Sequence, residues 1–410
     1  MQKFLVKTIF ILLAISIGLG AGFLSYTYWK LPKTETLESE TVYISKNHST
    51  EINVNTNTDI STGDVAVHFL ELGNKYTGDC TYIKVGENID ILIDCGSRTS
   101  SIAYVKQYLD NFVTDNIIDY VIITHAHRDH YAGFATGSST KSLFELFYFN
   151  NIITFSTTEP GKTDTSTYKN FVKNLNKAKG YDEISKTEIE PNIFTALDCV
   201  NETNGASKIF NLDTTNNIEL EILETKFYSQ GDDNENNNSV CCMINQGNKN
   251  FLFTGDLEGE TIEDGEHSLI TLNQLPKVEL LKAGHHGSKT SSSSEFLNTV
   301  LDPNNPAIVC VCCCAGSSEY TSEPKNQFPT AEFINRISQY TTLVYVTSLC
   351  EDYKNGKFTS FNGNITVISS GTNALNVQCS NNNTLLKDSE WFKQNRYDMC
   401  YNDMASSWKS

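Results

Sequence analysis

Positive charge is in short supply in this chain. It has 31 lysines and arginines against 49 aspartates and glutamates, a net charge of −18 over 410 residues. The first 33 residues hold Lys3, Lys7, Lys30 and Lys33 and no acid, which leaves 27 basic against 49 acidic residues beyond them. A body this acidic repels polyanions at long range, which excludes a general nucleic-acid binder, although a local basic cleft stays possible. Histidine is scarce, with eight in the chain. Long apolar runs are nearly absent: only Ile9 to Leu24 approaches the roughly 20 residues that span a bilayer, so a multi-span channel is excluded. No internal repeat recurs at a fixed period, and none of the twelve cysteines forms a zinc-knuckle pair.

The one apolar run follows Lys3 and Lys7 and is extended by Tyr26, Tyr28 and Trp29, a cluster suited to a membrane interface. Residues 1–30 therefore read as a membrane anchor or a signal peptide, with Gly20-Ala21-Gly22 offering small residues for cleavage. Either reading places the body at the cell membrane facing outward, or secreted. Residues 31–63 are rich in Thr, Ser, Asn and Glu and read as a flexible tether containing His48. Cys241-Cys242 and Cys310 to Cys314 lie inside apolar strand-like runs, where cysteine acts as a small buried hydrophobe. Disulfides among Cys350, Cys379 and Cys400 remain an option for an extracellular domain.

Residues 64–375 read as one α/β domain. Strands are predicted at Val65 to Leu72, Cys80 to Val85, Ile89 to Cys95 and Tyr120 to Ile123, with a helix from Ser100 to Val113. A second batch falls at Ile218 to Leu223, Val240 to Asn245, Asn250 to Thr254, Val278 to Lys282, Ala307 to Cys314, Leu343 to Val346 and Ile365 to Ile368. Helices are predicted at Glu295 to Leu301 and Ala331 to Tyr340. Two batches of strands with helices between them suit an αββα sandwich. About residues 135–215, rich in Asn and Thr, read as a surface insertion with a helix at Thr165 to Lys179. Residues 376–410 form a C-terminal extension carrying Trp391, Phe392 and Trp408.

The chemistry concentrates in Thr124-His125-Ala126-His127-Arg128-Asp129-His130, directly after a buried strand. Imidazole and carboxylate are the ligands that zinc, manganese and iron favour. Six residues do not readily wrap one ion with four ligands, but they can serve two adjacent ions. His125 and His127 would hold one, Asp129 and His130 the other. A His-rich loop without metal is the plain alternative, and three of eight histidines in one loop argue against it. Gly255-Asp256 follows a buried strand, where a carboxylate can bridge two ions. Gly284-His285-His286-Gly287-Ser288-Lys289 repeats the strand-then-histidine design. One histidine of that pair completes a metal shell and the other serves as proton donor or oxyanion contact. His285 is assigned to the metal, and His286, with Lys289, to catalysis. Lys282, Ser288 and Lys289 add donors and local positive charge. Asp94 reads as an orienting partner for the metal loop, and Asp79 as structural.

In order, these stretches resemble the metallo-β-lactamase superfamily, and more closely the branch found as the C-terminal domain of the competence protein ComEC. Gly78-Asp79, Asn238-Ser239 and Gly284-His285-His286-Gly287-Ser288 match that branch, over about residues 65–370. The resemblance implies an αββα fold, one or two zinc or manganese ions, and hydrolysis, often of phosphodiesters. It implies ligation by His125, His127, Asp129, His130, Asp256 and one of His285 and His286. Teichoic-acid phosphorylcholine esterases use a similar fold at the cell surface. The chain departs from the pattern in having no histidine between His130 and His267, where a third ligand for the first ion is common, and in Ala132, where glycine is common.

The expected function is a surface-anchored or secreted metal-dependent hydrolase, with two zinc ions (manganese or iron in their place) and a phosphodiester or small ester substrate. Asp129 or Asp256 would orient the activated water. Hydrolysis of another ester, an amide or a lactone, and a non-catalytic metal-binding surface module, are the competing readings.

Overall fold

The computed structural model describes residues 60–409. The expected N-terminal anchor and nearly all of the tether, with His48, lie outside the described residues. Among the described residues no helix is long and apolar enough to cross a membrane.

The first eight strands run β1 (Val65–Phe69), β2 (Thr81–Val85), β3 (Ile89–Ile93), β4 (Ile117–Ile123), β5 (Tyr148–Thr154), β6 (Gly180–Asp182), β7 (Thr187–Ile189) and β8 (Asn192–Thr195). Then come β9 (Ile209–Asp213), β10 (Ile218–Leu223), β11 (Cys241–Gln246), β12 (Lys249–Phe253), β13 (Leu280–Lys282) and β14 (Ile308–Ala315). The last four are β15 (Val344–Asp352), β16 (Lys357–Ser360), β17 (Ile365–Ser369) and β18 (Asn376–Cys379). One eight-stranded sheet has the order β18-β17-β1-β2-β3-β4-β5-β8, and a second has β16-β15-β14-β13-β12-β11-β10-β9. In the first, β3, β4, β5 and β8 are parallel. In the second, β12 to β15 are parallel.

Side chains alternate across a strand, and the two faces of each sheet go to different places. Phe251 and Phe253 of β12 join the shared core, with Phe253 6.4 Å from the ring of Phe69 in β1. Leu252 between them faces the other way, into a second core. In β14, Cys310 and Cys312 enter the shared core, while Val309, Val311 and Cys313 enter the second. A strand buried on both faces reads as an unbroken apolar run, which is why β14 is legible in sequence. The second core is roofed by α-helices Ser294–Val300 and Ala331–Ile337 through Phe296, Leu297, Phe333, Ile334 and Ile337. Helix Ser101–Leu109 covers the outer face of the first sheet, where Tyr108 Oη lies 2.8 Å from His68 Nδ1. His68 is thus a core residue, and burial lowers its pKa to about 3. Helix, sheet, sheet, helix is the αββα arrangement expected from sequence.

The 135–215 stretch does more than decorate the surface. It supplies β5 and β8 to the first sheet and β9 to the edge of the second. Asn150 and Asn151 interrupt the β-branched pattern of β5 and hide it in sequence. They are tolerated because Asn150 Oδ1 accepts from Tyr181 N and Asn151 Nδ2 donates to Asp119 O. Residues 376–409 are built into the body: β18 pairs with β17, and Phe392, Cys400, Met404 and Trp408 are buried in the second core. All twelve cysteines are free thiols, so the optional disulfides among Cys350, Cys379 and Cys400 are not formed.

Candidate metal centre

The parallel strands of both sheets end on one side, and their carboxyl ends deliver the polar residues. Asp94 follows β3, the His-rich loop follows β4, Asp256 follows β12, and His285 and His286 follow β13. Parallel α/β sheets characteristically bind ligands at that end. Close backbone approach assembles the loops: Cys95 N donates to His130 O at 2.7 Å and Asp79 N donates to Asp129 O at 2.9 Å. Gly96 is required there, since a Cβ on it would lie 1.6 Å from Asp129 O. Asp94, His285 and His286 all have left-handed backbone, with φ of 61°, 47° and 54°. Non-glycine residues pay on the order of 1–2 kcal/mol for that conformation, and such strain concentrates at functional sites.

Asp79, His130, Asp256 and His286 are all buried and can each offer one ligand atom, the four lying within 4.8 Å of one another. Hydrogen bonding decides which imidazole nitrogens are available. His130 Nδ1 lies 2.7 Å from Asp94 Oδ2, and His286 Nδ1 lies 2.9 Å from Cys312 O. Both acceptors keep a proton on Nδ1 and leave Nε2 free, the usual arrangement behind metal-ligating histidines. The two Nε2 atoms are 3.3 Å apart. Asp256 Oδ2 lies 3.0 Å from His130 Nε2 and 3.3 Å from His286 Nε2, and Asp129 Oδ2 lies 3.5 Å from His286 Nε2. Asp256 Oδ1 is buried and receives no hydrogen bond. Two oriented nitrogens, two carboxylates and an unsatisfied buried oxygen fit a divalent cation of the zinc type.

Burial alone would lower the pKa of His130, but Asp256 and Asp94 raise it to about 10. Burial would raise Asp256, but His130, His286 and His285 hold it well below the usual carboxylate range. The cluster therefore compensates its own charge, and a cation would compete with protons for it.

The remaining sequence candidates fall in distinct places. His125 is buried, with Nε2 3.1 Å from His127 Nδ1, and its own Nδ1 meets Thr124 Oγ1 and Ser239 Oγ at 3.1 and 3.3 Å. These two imidazoles converge beside the cluster, and the His125 ring is 4.2 Å from that of His130. Asp129 is held by Tyr320, whose Oη donates to Oδ2 at 2.7 Å. His285 is partly exposed, its Nε2 3.9 Å from Asp256 Oδ2 and its Nδ1 3.3 Å from Glu258 Oε1. The geometry thus puts His286, rather than His285, among the converging ligand atoms. Lys289 is exposed at the rim. His267 pairs with Glu295 at 3.2 Å on an exposed face.

Three groups, Asp79 and Glu235 buried and Glu258 partly buried, have site contacts that the sequence does not announce. Asp79, read as structural, touches Lys282 Nζ through Oδ2, while Lys282 also reaches Gly255 O at 3.2 Å and Asp256 Oδ1 at 3.7 Å. The Gly78-Asp79 pair was the available signal. Glu235 accepts from Ala126 N at 2.6 Å and from Thr158 Oγ1 and Glu159 N at 2.7 Å, tying the His loop to the 135–215 stretch. Glu258 lies two residues past Asp256 with no motif of its own. No sequence signal marks these two glutamates, because their partners lie 22 to 109 residues away.

The family model described as the metallo-beta-lactamase superfamily matches residues 73–140, the stretch from Gly73 through the His-rich loop. That stretch carries Asp79, Asp94 and the whole His-rich loop, so the part of the site similar to that superfamily is the half built on the first sheet. Among curated proteins it is similar to ComE operon protein 3 of Bacillus subtilis, 38% identical over 74 residues, 18% of this chain and 9% of that protein. It is similar also to Recombination protein 2 of Haemophilus influenzae, 35% identical over 66 residues, 16% of this chain and 8% of that protein. The matched stretch spans under a tenth of either relative. A solved metallo-beta-lactamase fold protein of Bacillus subtilis, YhfI, aligns over 53% of this chain and 71% of its own, at 14% identity and a TM-score of 0.28.

Proposed function

We propose that this protein is a metal-dependent hydrolase of phosphodiester bonds, with its body outside the cytoplasm and tethered or released through the apolar N-terminal segment. The observation that carries the catalytic part is the meeting of His130 Nε2, His286 Nε2 and Asp256 Oδ2 within 3.3 Å of one another, from three loops on two sheets. A divalent cation there supplies a Lewis acid and a water acidic enough to ionise near neutral pH.

The chain's own residues do the rest. Asp94 and the Cys312 carbonyl fix the two imidazoles in one tautomer. Tyr320 keeps Asp129 Oδ2 turned toward the centre, where this carboxylate accepts a proton from the attacking water and orients it. Lys282, buried against Asp79, offsets negative charge behind Asp256, so that an anionic diester can approach an otherwise acidic pocket. His125 and His127 bring a second pair of imidazole nitrogens together beside the cluster, and these two residues would hold a second ion.

Elemental analysis of the purified ectodomain, beside its rate on bis-p-nitrophenyl phosphate, tests the reading. Bound zinc, manganese or iron with chelator-sensitive hydrolysis supports it. Bound metal with cleavage of carboxylic esters or lactones alone would redirect the substrate class, and metal without any hydrolysis would leave a binding module.

A further inference from the structure

Arg396 is a charged side chain taken almost wholly out of water, 1% exposed. Its neighbours put it there. The Arg396 N–H donates to Phe392 O at 2.8 Å, the Cys400 N–H donates to Arg396 O at 2.9 Å, and Phe392 and Cys400 belong to the second core. The guanidinium bonds backbone carbonyls: Nε donates to Pro329 O at 3.0 Å, Nη2 to Gln327 O at 2.8 Å and Nη1 to Asn395 O at 2.9 Å. Its Cζ lies 4.7 Å from the centre of the Trp391 ring. Burial lowers its pKa to about 10. An apolar side chain would fill that space without the cost of desolvating a charge, so the charge calls for a reason.

The reason lies in what the two gripped carbonyls flank. Gln327 and Pro329 bracket Phe328, whose ring centre lies 5.7 Å from that of His285, 5.8 Å from that of His286 and 5.6 Å from that of Tyr320. Phe328 O accepts from Gly316 N at 2.8 Å, which closes residues 316–328 into a loop. Trp391 seals that closure: φ at Gly316 is +79°, and a Cβ on it would lie 2.8 Å from Trp391 Nε1. The loop carries Glu319 and Tyr320 to the other sheet. Glu319 accepts from Thr77 N at 2.9 Å and from Arg98 Nη2 at 2.6 Å, and Tyr320 donates to Asp129 Oδ2 at 2.7 Å. A planar fork with donors on two edges spans two carbonyls at once, which the point charge of lysine does not.

We propose that Arg396 is a positioning residue for the metal centre: it clasps the backbone on both sides of Phe328 and, through the 316–328 loop, holds Tyr320 against Asp129. The C-terminal extension thereby shapes the site while giving no group to the cluster. The kinetic arm of the proposal rests on the hydrolase reading, through the role given to Asp129.

The test uses full-length holoprotein with no substitution and with R396K, R396M and Y320F. The first readout is amide exchange, which needs no turnover. In R396M the Gly316 and Thr77 amides should exchange about tenfold faster or more, while the amides of β11 and β12 keep their rates. R396K, which keeps the charge but reaches one carbonyl, should fall between. A Thr77 amide that exchanges as before overturns the clasp, and so does equal acceleration of every amide, the mark of general destabilisation. The second readout is the rate on bis-p-nitrophenyl phosphate at equal metal content. R396M should lower kcat about 10- to 100-fold and leave KM within about twofold, because a displaced loop disturbs the orientation of Asp129 rather than binding. Y320F keeps the ring but removes the bond to Asp129, so adding it to R396M should cost no more than about twofold further; losses that multiply overturn the route through Tyr320. If R396M does not fold, R396K decides by the same readouts, with a rise of about threefold or more required at Thr77. An unsubstituted protein that hydrolyses nothing ends the hydrolase reading and leaves the clasp to the exchange rates.

Discussion

Asp94 Oδ2 lies 2.7 Å from His130 Nδ1, and this one contact turns the opposite nitrogen toward Asp256. Asp94 is itself fixed, Oδ1 by Thr124 N at 2.8 Å and Oδ2 by Thr124 Oγ1 at 2.7 Å. Replacing Asp94 by Asn keeps the shape but removes the charge behind the imidazole. Metal affinity should fall about 10- to 100-fold, read by competition with a chromophoric chelator. Unchanged affinity would show that His130 is not a ligand.

The two adjacent histidines should separate in a metal assay. H286A removes a buried Nε2 from the centre and should lower metal content by a full equivalent. H285A should leave content near that of the unsubstituted protein, because His285 Nε2 is 3.9 Å from the nearest carboxylate oxygen. The reverse pattern would return His285 to the metal.

D129A should keep the fold and lower turnover by about 10² or more, since Asp129, 13% exposed in the short helix Arg128–Tyr131, directs its side chain to Tyr320 and the centre. Circular dichroism checks the fold and the rate on bis-p-nitrophenyl phosphate checks the chemistry. Full activity in D129A would end the proposed role of that carboxylate.

Glu71 gives a pH dependence remote from the metal. Its side chain is buried with a single partner, the Ser360 hydroxyl at 2.7 Å, and burial raises its pKa to about 7. A raised carboxyl favours the protonated folded state, so its contribution is fully present below the unfolded pKa near 4.5 and is lost as pH rises through about 7. E71Q should remove that slope. Its melting temperature should match that of the unsubstituted protein near pH 4.5 and exceed it at pH 8, by the equivalent of about 2–3 kcal/mol. Parallel melting curves across this range would show that Glu71 titrates normally.

The C-terminal extension should prove indispensable. Trp408 is 1% exposed, its ring 5.4 Å from Phe392, and its Nε1 donates to Thr341 O at 2.9 Å. W408A should cost about 3–5 kcal/mol, and truncation after residue 375 should leave the second core open and the protein insoluble. Urea denaturation measures the first, and soluble yield the second.

Much of the fold was legible because burial writes itself into strands. β14 is apolar throughout since both its faces are covered, and the His-rich loop is conspicuous since it follows a run as plain as Val121-Ile122-Ile123. β5 was not legible: its two asparagines satisfy partners on other elements, and a side-chain bond to a distant backbone leaves no local pattern. Asp79 shows the same limit. An aspartate after glycine in a loop looks like any turn until Lys282, two hundred residues later, is folded against it.

The sequence alone determined which kinds of atom are available, imidazoles and carboxylates at the ends of buried strands, because ligand chemistry and strand burial are both local properties. Only the tertiary structure decided which of them meet. His286 rather than His285 faces the cluster because consecutive left-handed residues splay their side chains apart, and because one ring then finds a backbone carbonyl while the other finds Glu258.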